Sequence, residues 1–249
     1  MLGRVAALAS EIVVVHSSDL HVDGNPHQGG DGTASLHAVL NAARRHRADY
    51  TLLAGDIFDS NRQTDAIIAL SAALLRDAPG RVIVLPGNHD PATPDSVWRR
   101  GGLDRLAHVH ILGVTCELAV HFPDHDLEVW GHAHVDYDDM APLRTPMPRS
   151  ARWHIALAHG HYEDDGVPPL RPSWRISNAE IDATQADYLA LGHWNRAARV
   201  GTGVTVPAYY SGSPDLAKTV NLVRLRRNGT VAVTREAIDR DQAISARTR

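Results

Sequence analysis

Five short motifs of this 249-residue chain bring carboxylate, imidazole and amide side chains together with glycine. They are Asp19-Leu20-His21, Gly55-Asp56, Gly87-Asn88-His89-Asp90, His159-Gly160-His161 and Gly192-His193. Their oxygen and nitrogen donors suit manganese, iron or zinc, and they include no soft thiolate that would favour copper. The residue types therefore indicate a site for divalent metal ions.

Each motif follows an apolar run that is typical of a buried strand, such as Val82–Leu85 before the third motif. Open α/β sheets bind their ligands beyond the carboxyl ends of the strands. Five such ends would therefore deliver polar side chains to one rim. Asp19 and His21 are two residues apart at a strand end and point the same way, so that both can reach one ion.

The charge expected of such a site favours an anionic substrate. Two divalent cations bring four positive charges, to which Asp19 and Asp56 return two negative charges and a bridging hydroxide a third. The surplus of positive charge favours a phosphate ester. Two metal ions ~3.5–4 Å apart would also acidify the bridging water and hold the attacked phosphorus.

Strands and helices alternate in the first part of the chain. We predict strands at 12–16, 50–54 and 81–85, and helices at 34–46 and from Thr64 or Asp65 to about 77, because apolar residues recur at the matching spacings. Strands that alternate with helices of this length are typical of a parallel sheet.

Short strands separated by turn residues follow in the rest of the chain. They are predicted at 110–112, 116–121, 127–130, 153–158, 187–191, 205–210, 219–225 and 230–235, with a loop at 141–150. Parallel units followed by a meander indicate two sheets packed face to face with helices outside. We find no internal repeat and no clear boundary, and therefore expect a single domain over 1–249.

The composition limits the possible partners and the compartment. A net charge of −4 argues against a strong sequence-independent attraction to nucleic acid, although Arg44, Arg45 and Arg47 form a local basic group. No apolar run approaches the ~20 residues that cross a bilayer, and residues 1–10 are too short for a secretory signal. The single cysteine, Cys116, cannot form an internal disulfide, which favours a reducing cytoplasm.

The order of the motifs resembles that of the calcineurin-like metallophosphoesterases. The likeness extends from Val13 to Asn195 and continues weakly into 210–214. Within that family, segments 16–21, 53–59, 188–193 and 210–214 look like the SbcD-type DNA repair exonucleases. The resemblance implies an α/β fold, a four-layer α/β/β/α sandwich of two mixed sheets flanked by helices, with a dinuclear metal site.

The resemblance also implies a role for each motif. His89 would donate a hydrogen bond to the phosphate or a proton to the leaving oxygen, and Asp90 would orient its ring. Two divalent ions are expected, manganese in the first place, with iron or zinc as alternatives. Their ligands would be Asp19 and His21 for the first ion, Asp56 as the bridge, and Asn88, His159 and His193 for the second.

The activity implied is that of a metal-dependent phosphodiesterase, in which a hydroxide activated by two metal ions attacks the ester. DNA ends or nucleotides are the expected substrates and an ATPase the expected partner, or else the chain acts on small phosphodiesters. A phosphatase shares the same metal site. A scaffold that keeps the fold without catalysis is the alternative of another class, but Asn88 and His89 are both present, which favours an enzyme.

One residue departs from the family pattern. The last motif is usually Gly-His-x-His, whereas this chain has Gly192-His193-Trp194-Asn195. Asn195 would bind the first metal ion through its carbonyl oxygen or hold a water there, and either arrangement predicts a weaker first metal site. The segment Gly131-His132-Ala133-His134 has the complete pattern but precedes the His159 motif. An alternative places one of its two histidines near the site as the substitute ligand.

Four side chains close to the motifs have a structural or a functional interpretation. Asp59 either supports the site or caps a helix, and His161 either faces the site or is exposed. Trp194 either stacks on a nucleotide base or packs half-buried, and His16 is expected to be structural. Segment 113–150 is long enough to fold over the site as a lid, which the sequence leaves open.

Overall fold

The computed structural model describes residues 11–24, 32–164 and 173–239, so the expectation for residues 1–10 lies outside the described part of the chain. The strands in these ranges are β1 Glu11–Ser17, β2 Tyr50–Ala54, β3 Arg81–Leu85, β4 Val109–Ile111, β5 Ala119–Phe122, β6 Leu127–Gly131, β7 Trp153–His159, β8 His161–Tyr162, β9 Arg175–Ile176, β10 Tyr188–Gly192, β11 Ala198–Val200, β12 Ala208–Tyr210, β13 Thr219–Arg226 and β14 Val231–Ala237. The α-helices are α1 Ala34–His46, α2 Asp65–Arg76, α3 Asn178–Ala183 and α4 Pro214–Ala217, and Val97–Arg99 and Leu103–Arg105 form short 3₁₀ turns.

Both long helices lie where the apolar spacing predicts them. The Thr64 hydroxyl accepts a hydrogen bond from the backbone N–H of Ile67 and so caps the start of α2. Arg47 adopts a left-handed conformation (φ 51°) after α1, and its N–H bonds back to the helix carbonyls of Ala43 and Arg44. No helix in the described ranges is long and apolar enough to cross a membrane.

The first sheet has the strand order β14-β13-β1-β2-β3-β4. Strands β1 to β4 are parallel, whereas β13 runs antiparallel to β1 and β14 antiparallel to β13. The carboxyl ends of β1, β2 and β3, which carry the first three motifs, therefore meet at one edge.

The second sheet has the order β11-β12-β10-β7-β6-β5. Its central strands β6, β7, β10 and β12 are parallel, and β5 and β11 pair antiparallel at the two margins. Residues Gly192 and His159 are opposite each other in the register of β10 and β7. The last two motifs therefore leave neighbouring strands at the same edge.

Alternating side chains of the first sheet enter two different apolar cores. In β1, Val13 and Val15 pack against the helices, whereas Ile12 and Val14 face the second sheet. Leu157 of β7 belongs to this middle core. The period of two along each strand is what allows one sheet to bury both of its faces.

A third core covers the outer face of the second sheet. It contains Leu189 and Leu191 of β10 and Ile181 of α3, all buried. Helices, sheet, sheet and helix thus form four layers, and the predicted sandwich of two mixed sheets is confirmed.

The observed secondary structure differs from the prediction, for example at one strand and at one helix. The strand predicted at 205–210 begins only at Ala208, because the N–H of Thr205 donates to the carboxylate of Asp182 at 2.8 Å. Helix α3 was not predicted, although Ser177 and Glu180 form the reciprocal capping box that could have revealed its start.

Candidate metal centre

The first two motifs are joined backbone to backbone beyond the ends of β1 and β2. The N–H of Asp19 donates to the carbonyl oxygen of Gly55 at 3.0 Å, and the N–H of His21 to that of Asp56 at 3.1 Å. These bonds fix two loops against each other just outside the sheet. The carboxylates and the imidazole that the loops carry are therefore presented by a rigid base.

Several of the predicted ligands have left-handed backbone conformations. The φ angles are 54° at Asp19, 46° at His21, 54° at Asp56 and 105° at His193. Non-glycine residues seldom adopt positive φ, and such strain is concentrated at functional sites, where the surrounding structure holds it in place. All four left-handed residues thus carry side chains that are candidate ligands of the site.

Two groups of candidate ligand atoms share the carboxylate of Asp56. One consists of Asp19, His21 and Asp56, and the other of Asp56, His159 and His193, with the ligand atoms of each group within 4.8 Å of one another. Two triads that share a carboxylate are the donor arrangement that two neighbouring cations need. The structure thus brings together five of the predicted metal ligands.

His159 is oriented so that one ring nitrogen faces the site. Its Nδ1 lies 2.9 Å from the carbonyl oxygen of Ala54, which fixes Nδ1 as the donor. Its Nε2 lies 3.1 Å from Oδ1 of Asn88 and 3.1 Å from Oδ2 of Asp56. A backbone carbonyl that orients a histidine in this way is the usual support of a metal ligand. The side-chain oxygen of Asn88 thus lies beside the second group, and its binding of a metal ion stays a prediction.

Two glycines of the motifs are required by the close approach of neighbouring side chains. A Cβ at Gly55 would lie 2.0 Å from Nδ1 of His159, and a Cβ at Gly87 would lie 2.2 Å from Oδ1 of Asp56. Either methyl group would push a candidate ligand out of place. The glycines therefore belong to the construction of the site rather than to a turn alone.

The electrostatics of the centre favour a cation. Burial raises the pKa of the Asp19 carboxyl, an effect that His159 opposes. Burial acts in the same direction on Asp56, but His159 outweighs it and lowers the pKa of that carboxyl. Burial alone would lower the pKa of His159, yet Asp56 and Asp19 raise it to about 9. Two buried carboxylates thus attract positive charge to the point where their ligand atoms meet.

Asp59 supports two histidines at the mouth of the centre. Its Oδ1 lies 3.0 Å from Nδ1 of His21, and its backbone carbonyl oxygen lies 2.9 Å from Nδ1 of His89. The rings of His21 and His89 meet edge to face with 4.8 Å between their centroids. Of the two interpretations of Asp59, the structure therefore favours the supporting role at the site.

Asp90 does not take the place that was predicted for it. Its Oδ2 accepts hydrogen bonds from the N–H groups of Ile57 and Phe58 at 2.8 and 2.9 Å, and its Oδ1 accepts one from Gly87 at 2.7 Å. Asp90 therefore does not orient the His89 ring as predicted. Nδ1 of His89 lies instead against the backbone carbonyl oxygen of Asp59. Asp90 is fully buried and ties the loop after β3 to the loop after β2.

Asn195 lines an open pocket of about 480 Å³ above the candidate ligands. Its side chain is exposed, and its backbone carbonyl accepts a hydrogen bond from the N–H of Ser213 at 3.2 Å. Whether Asn195 binds a metal ion stays a prediction. The described residues that line the pocket are Asp19, His21, Asp56, His89, His161, His193, Trp194, Asn195 and Arg196.

The second Gly-His-x-His segment lies behind the centre. His134 is buried, and its Nε2 is 2.9 Å from the backbone carbonyl of His159. Nε2 of His132 is 3.3 Å from the carbonyl of Thr145. Neither histidine belongs to the groups of candidate ligand atoms found among the described residues. The segment therefore supports the strand that carries His159, and nothing in its geometry makes it the substitute ligand.

An aromatic wall borders the pocket. Trp194 stacks on Tyr210 with 4.4 Å between the ring centroids and 6° between the planes, and its Nε1 donates to Nδ1 of His161 at 3.0 Å. Trp194 is thus half-buried and packed, as one of its two interpretations expects, and His161 faces the pocket.

Ser18 and Ser211 support the centre and were not singled out from the sequence. The Ser18 hydroxyl donates to Oδ2 of Asp19 at 2.5 Å and lies 2.9 Å from the hydroxyl of Ser211. The backbone N–H of His193 also donates to both carboxylate oxygens of Asp19, at 3.2 and 3.0 Å. The only sequence signal for this contact was the Ser-Gly-Ser segment after β12.

The segment 113–150 borders the centre without covering it. The N–H of Ala92 donates to the carbonyl of His134 at 2.7 Å, and Asn61 donates to the hydroxyl of Tyr137 at 3.2 Å. Within the described residues, none from this segment lines the pocket above the ligands. In this conformation the segment is a neighbour of the loop that carries His89 and not a lid.

Comparison with known proteins agrees with this fold. A sequence model of the family described as "Calcineurin-like phosphoesterase" matches residues 12–196. The uncharacterized metallophosphoesterase YhaO of Bacillus subtilis is 26% identical over 208 residues, which are 75% of this chain and 49% of the relative. The chain therefore spans about half the length of the curated relative it matches.

Two solved structures share the fold at low sequence identity. The NAD nucleotidase NadN of Haemophilus influenzae superposes with a TM-score of 0.50 and 14% identity, covering 92% of this chain and 50% of that one. The purple acid phosphatase PPD1 from yellow lupin (Lupinus luteus) seeds superposes with a TM-score of 0.52 and 13% identity, covering 92% and 52%. Both likenesses concern the fold alone.

Proposed function

The chain belongs to the calcineurin-like phosphoesterase family, and from this membership we propose that it hydrolyses phosphodiesters with the help of two divalent metal ions. The observation that carries the proposal is the pair of ligand groups that share Asp56 at the carboxyl edge of both sheets. An enzyme of this family is a phosphoric ester hydrolase. The choice of a diester over a monoester is the part that we propose.

The donor set fits two hard or borderline cations. Asp19, His21 and Asp56 would hold the first ion, with Asn195 at its open side, and Asp56, Asn88, His159 and His193 would hold the second. Two divalent ions held there would acidify a bridging water and neutralise charge on the attacked phosphate. We propose manganese, because carboxylate, amide oxygen and imidazole suit it and no thiolate is present; iron and zinc are the alternatives.

His89 is the residue that we assign to the phosphate. It is exposed at the pocket, and its backbone N–H donates to Oδ1 of Asp56 at 2.9 Å, which fixes its position relative to the bridge. The backbone carbonyl of Asp59 accepts a hydrogen bond from Nδ1, so that in the doubly protonated ring Nε2 is the nitrogen left to donate a hydrogen bond to the phosphate or a proton to the leaving oxygen.

A DNA exonuclease of the SbcD type is the finer proposal. The segments 16–21, 53–59, 188–193 and 210–214 support it, and the pocket above the candidate ligands is open to solvent. The basic group at the end of α1 does not add to it. Arg44 donates a hydrogen bond to the backbone carbonyl of Asp77, and Arg45 donates one to that of Ala237. Both arginines lie at the end of α1 that leads into the amino end of β2, whereas the candidate metal ligands lie beyond its carboxyl end. An ATPase partner and action in the cytoplasm belong to the same proposal.

A scaffold that has lost catalysis is the second candidate. It is favoured by one observation, the exposed Asn195 in the position where the family pattern has a histidine. A poorly held first ion would leave the fold intact and slow hydrolysis. The enzyme is supported by Asn88, whose Oδ1 lies 3.1 Å from Nε2 of His159, and by His89, which lines the pocket.

Hydrolysis of bis-p-nitrophenyl phosphate in manganese tests the proposal. We expect turnover that is lost in chelator and lost in Asn88→Ala, whose side-chain oxygen lies 3.1 Å from His159. Asn41→Ala, in α1 outside the pocket lining, is the matched control and should retain the activity.

Absence of turnover by folded, manganese-loaded protein would contradict the phosphodiesterase proposal. If p-nitrophenyl phosphate were then hydrolysed, the chain would be a phosphatase of monoesters. If neither compound were hydrolysed, the scaffold would be the better description.

A further inference from the structure

Arg196 is the one cationic side chain of the Lys or Arg kind among the described residues that line the metal pocket. It follows Asn195 on the loop after β10, three residues beyond the candidate ligand His193. Its side chain is exposed, and no hydrogen bond or ion pair engages its guanidinium within residues 11–24, 32–164 and 173–239. The group is therefore available to an anion that enters the pocket.

The backbone that carries Arg196 is held firmly. The N–H of Ser213 donates to the carbonyl of Asn195 at 3.2 Å. A Cβ at Gly212, where φ is 75°, would lie 2.7 Å from the N of Ala197 and 3.0 Å from the C of Arg196, so the two segments are in close contact. The guanidinium is thus an exposed group on a fixed backbone at the rim of the pocket.

The attacked phosphate needs no further cation. Two divalent ions held by these residues would leave the centre with a net positive charge after Asp19 and Asp56 are counted, and His89 would supply a hydrogen-bond donor beside Asp56. Arg196 adds a planar fork of N–H donors that matches the geometry of a phosphate. Trp194, packed flat on Tyr210, gives the same side of the pocket an aromatic wall.

We propose that Arg196 binds a second phosphate of the substrate, one that is not hydrolysed, and this proposal rests on the proposed phosphodiesterase function. The substrate class is then a nucleotide or oligonucleotide end with a phosphate on either side of a nucleoside, rather than an ester with a single phosphate. No bond forms or breaks at Arg196. Its contribution is to the binding of the longer substrate.

Two chromogenic esters that differ by one phosphate test this assignment. They are thymidine 5′-(p-nitrophenyl phosphate) and the same compound with an additional 3′-phosphate; both release p-nitrophenol. We expect Arg196→Ala to lower kcat/KM about tenfold more for the second compound than for the first, mainly through KM. Arg196→Lys should restore part of the loss, since it keeps the charge without the fork.

The matched control is Arg199→Ala, an exposed arginine of β11 that lies over the ring of Tyr209 and outside the pocket lining. It should leave the ratio between the two compounds unchanged. An equal loss for both compounds in Arg196→Ala would place Arg196 on the attacked phosphate and overturn the proposal. Unchanged kcat/KM for both compounds in Arg196→Ala would also overturn it.

A binding measurement separates this proposal from the hydrolysis itself. Calorimetry with thymidine 3′,5′-bisphosphate and thymidine 5′-monophosphate, at matched manganese, should show preference for the bisphosphate that falls about tenfold in Arg196→Ala. Because the contact is exposed, the preference should also weaken with added salt. If the protein hydrolyses neither ester yet shows this preference, the result contradicts the phosphodiesterase function and supports the phosphate contact of Arg196. If it hydrolyses both but shows no preference, the anion site fails.

Discussion

Asn195 is the residue at which we expect the first metal site to be weakened. Its backbone is tied to Ser213, while its side chain is exposed at the pocket that Asp19 and His21 line. An amide oxygen is a weaker ligand for a borderline cation than an imidazole nitrogen. The first ion would therefore exchange more readily than the second, whose group includes His159 and His193.

Replacing Asn195 with histidine should tighten the first site. We expect Asn195→His to raise the affinity for the more weakly bound manganese ion by about tenfold, in line with the effect of changes close to metal ligands. Isothermal titration of the metal-free protein would resolve the two binding steps. Asn228→His, in the exposed turn between β13 and β14, controls for adventitious binding. An unchanged affinity would mean that Asn195 neither binds the ion nor lies in its reach.

His16 is a buried residue whose protonation opposes folding. It is inaccessible to solvent in β1, and its Nδ1 lies 2.8 Å from the hydroxyl of Tyr188. Burial lowers its pKa from 6.5 to about 3, although a backbone hydrogen bond with Leu191 acts in the opposite direction. Its expected structural role at the contact between the two sheets therefore makes it sensitive to acid.

The sign of the pH dependence follows from this shift. Below pH 6.5 the unfolded chain binds a proton at His16 that the folded protein does not, until the pH approaches 3. The free energy of unfolding should therefore fall with decreasing pH in this window, by up to ~1.4 kcal/mol per pH unit for this group. Urea unfolding at pH 7 and pH 5 would measure it. His16→Gln should be less stable at pH 7 but lose less stability between the two values, and equal losses in both proteins would contradict the assignment.

The ends of the strands were predictable from sequence because the signal there is local. Apolar runs that close on Asp19, Asp56 or Asn88 identify both the strand and the donor, and parallel topology brings such ends to one edge. The supporting contacts were not predictable in the same way. Asp59 reaches His21 across 38 residues, and Ser211 reaches Ser18 across 193, so that only the folded chain reveals which neighbour a polar side chain has.

Asp90 illustrates the same limit at the level of elements. From the sequence it follows His89 directly, which suggested a contact between the two side chains. In the fold its carboxylate turns inward to the backbone N–H groups of Ile57 and Phe58, because these buried donors in the loop after β2 need an acceptor. Proximity in sequence was thus a poor guide where a loop had unsatisfied donors.

The loops after β2 and β3 pack so closely that there is no room for a side chain at Gly87. A Cβ there would lie 2.2 Å from Oδ1 and 2.5 Å from the backbone N of Asp56. We expect Gly87→Ala to displace the Asp56 carboxylate and to weaken manganese binding by at least about tenfold, while circular dichroism shows that the sheets persist. Gly24→Ala, whose Cβ would meet only contacts of 3.4 Å or longer, is the control. Undiminished metal binding in Gly87→Ala would show that the loop can adapt.

At the scale of the whole molecule, the two sheets share the core between them, and both contribute candidate metal ligands at the same edge. Val14 and Leu52 of the first sheet belong to the same buried cluster as Ile155 and Leu157 of the second. Neither sheet would bury this face without the other. The proposal of a single domain depends on this shared core, since separate domains would each have a core of their own.

A cavity in the middle core should therefore destabilise both sheets together. Ile155 is fully buried in β7, and Ile155→Ala should lower the free energy of unfolding by ~2–5 kcal/mol through lost burial and the cavity that remains. Leu216→Ala, at a side chain that is 67% exposed, should change it by less than ~0.5 kcal/mol. Tryptophan fluorescence and far-ultraviolet circular dichroism should report one coincident transition for wild type and variant alike. Two separated transitions, of which only one responded to Ile155→Ala, would show instead that the sheets unfold as independent units. The candidate metal site would then lie at an interface between those units.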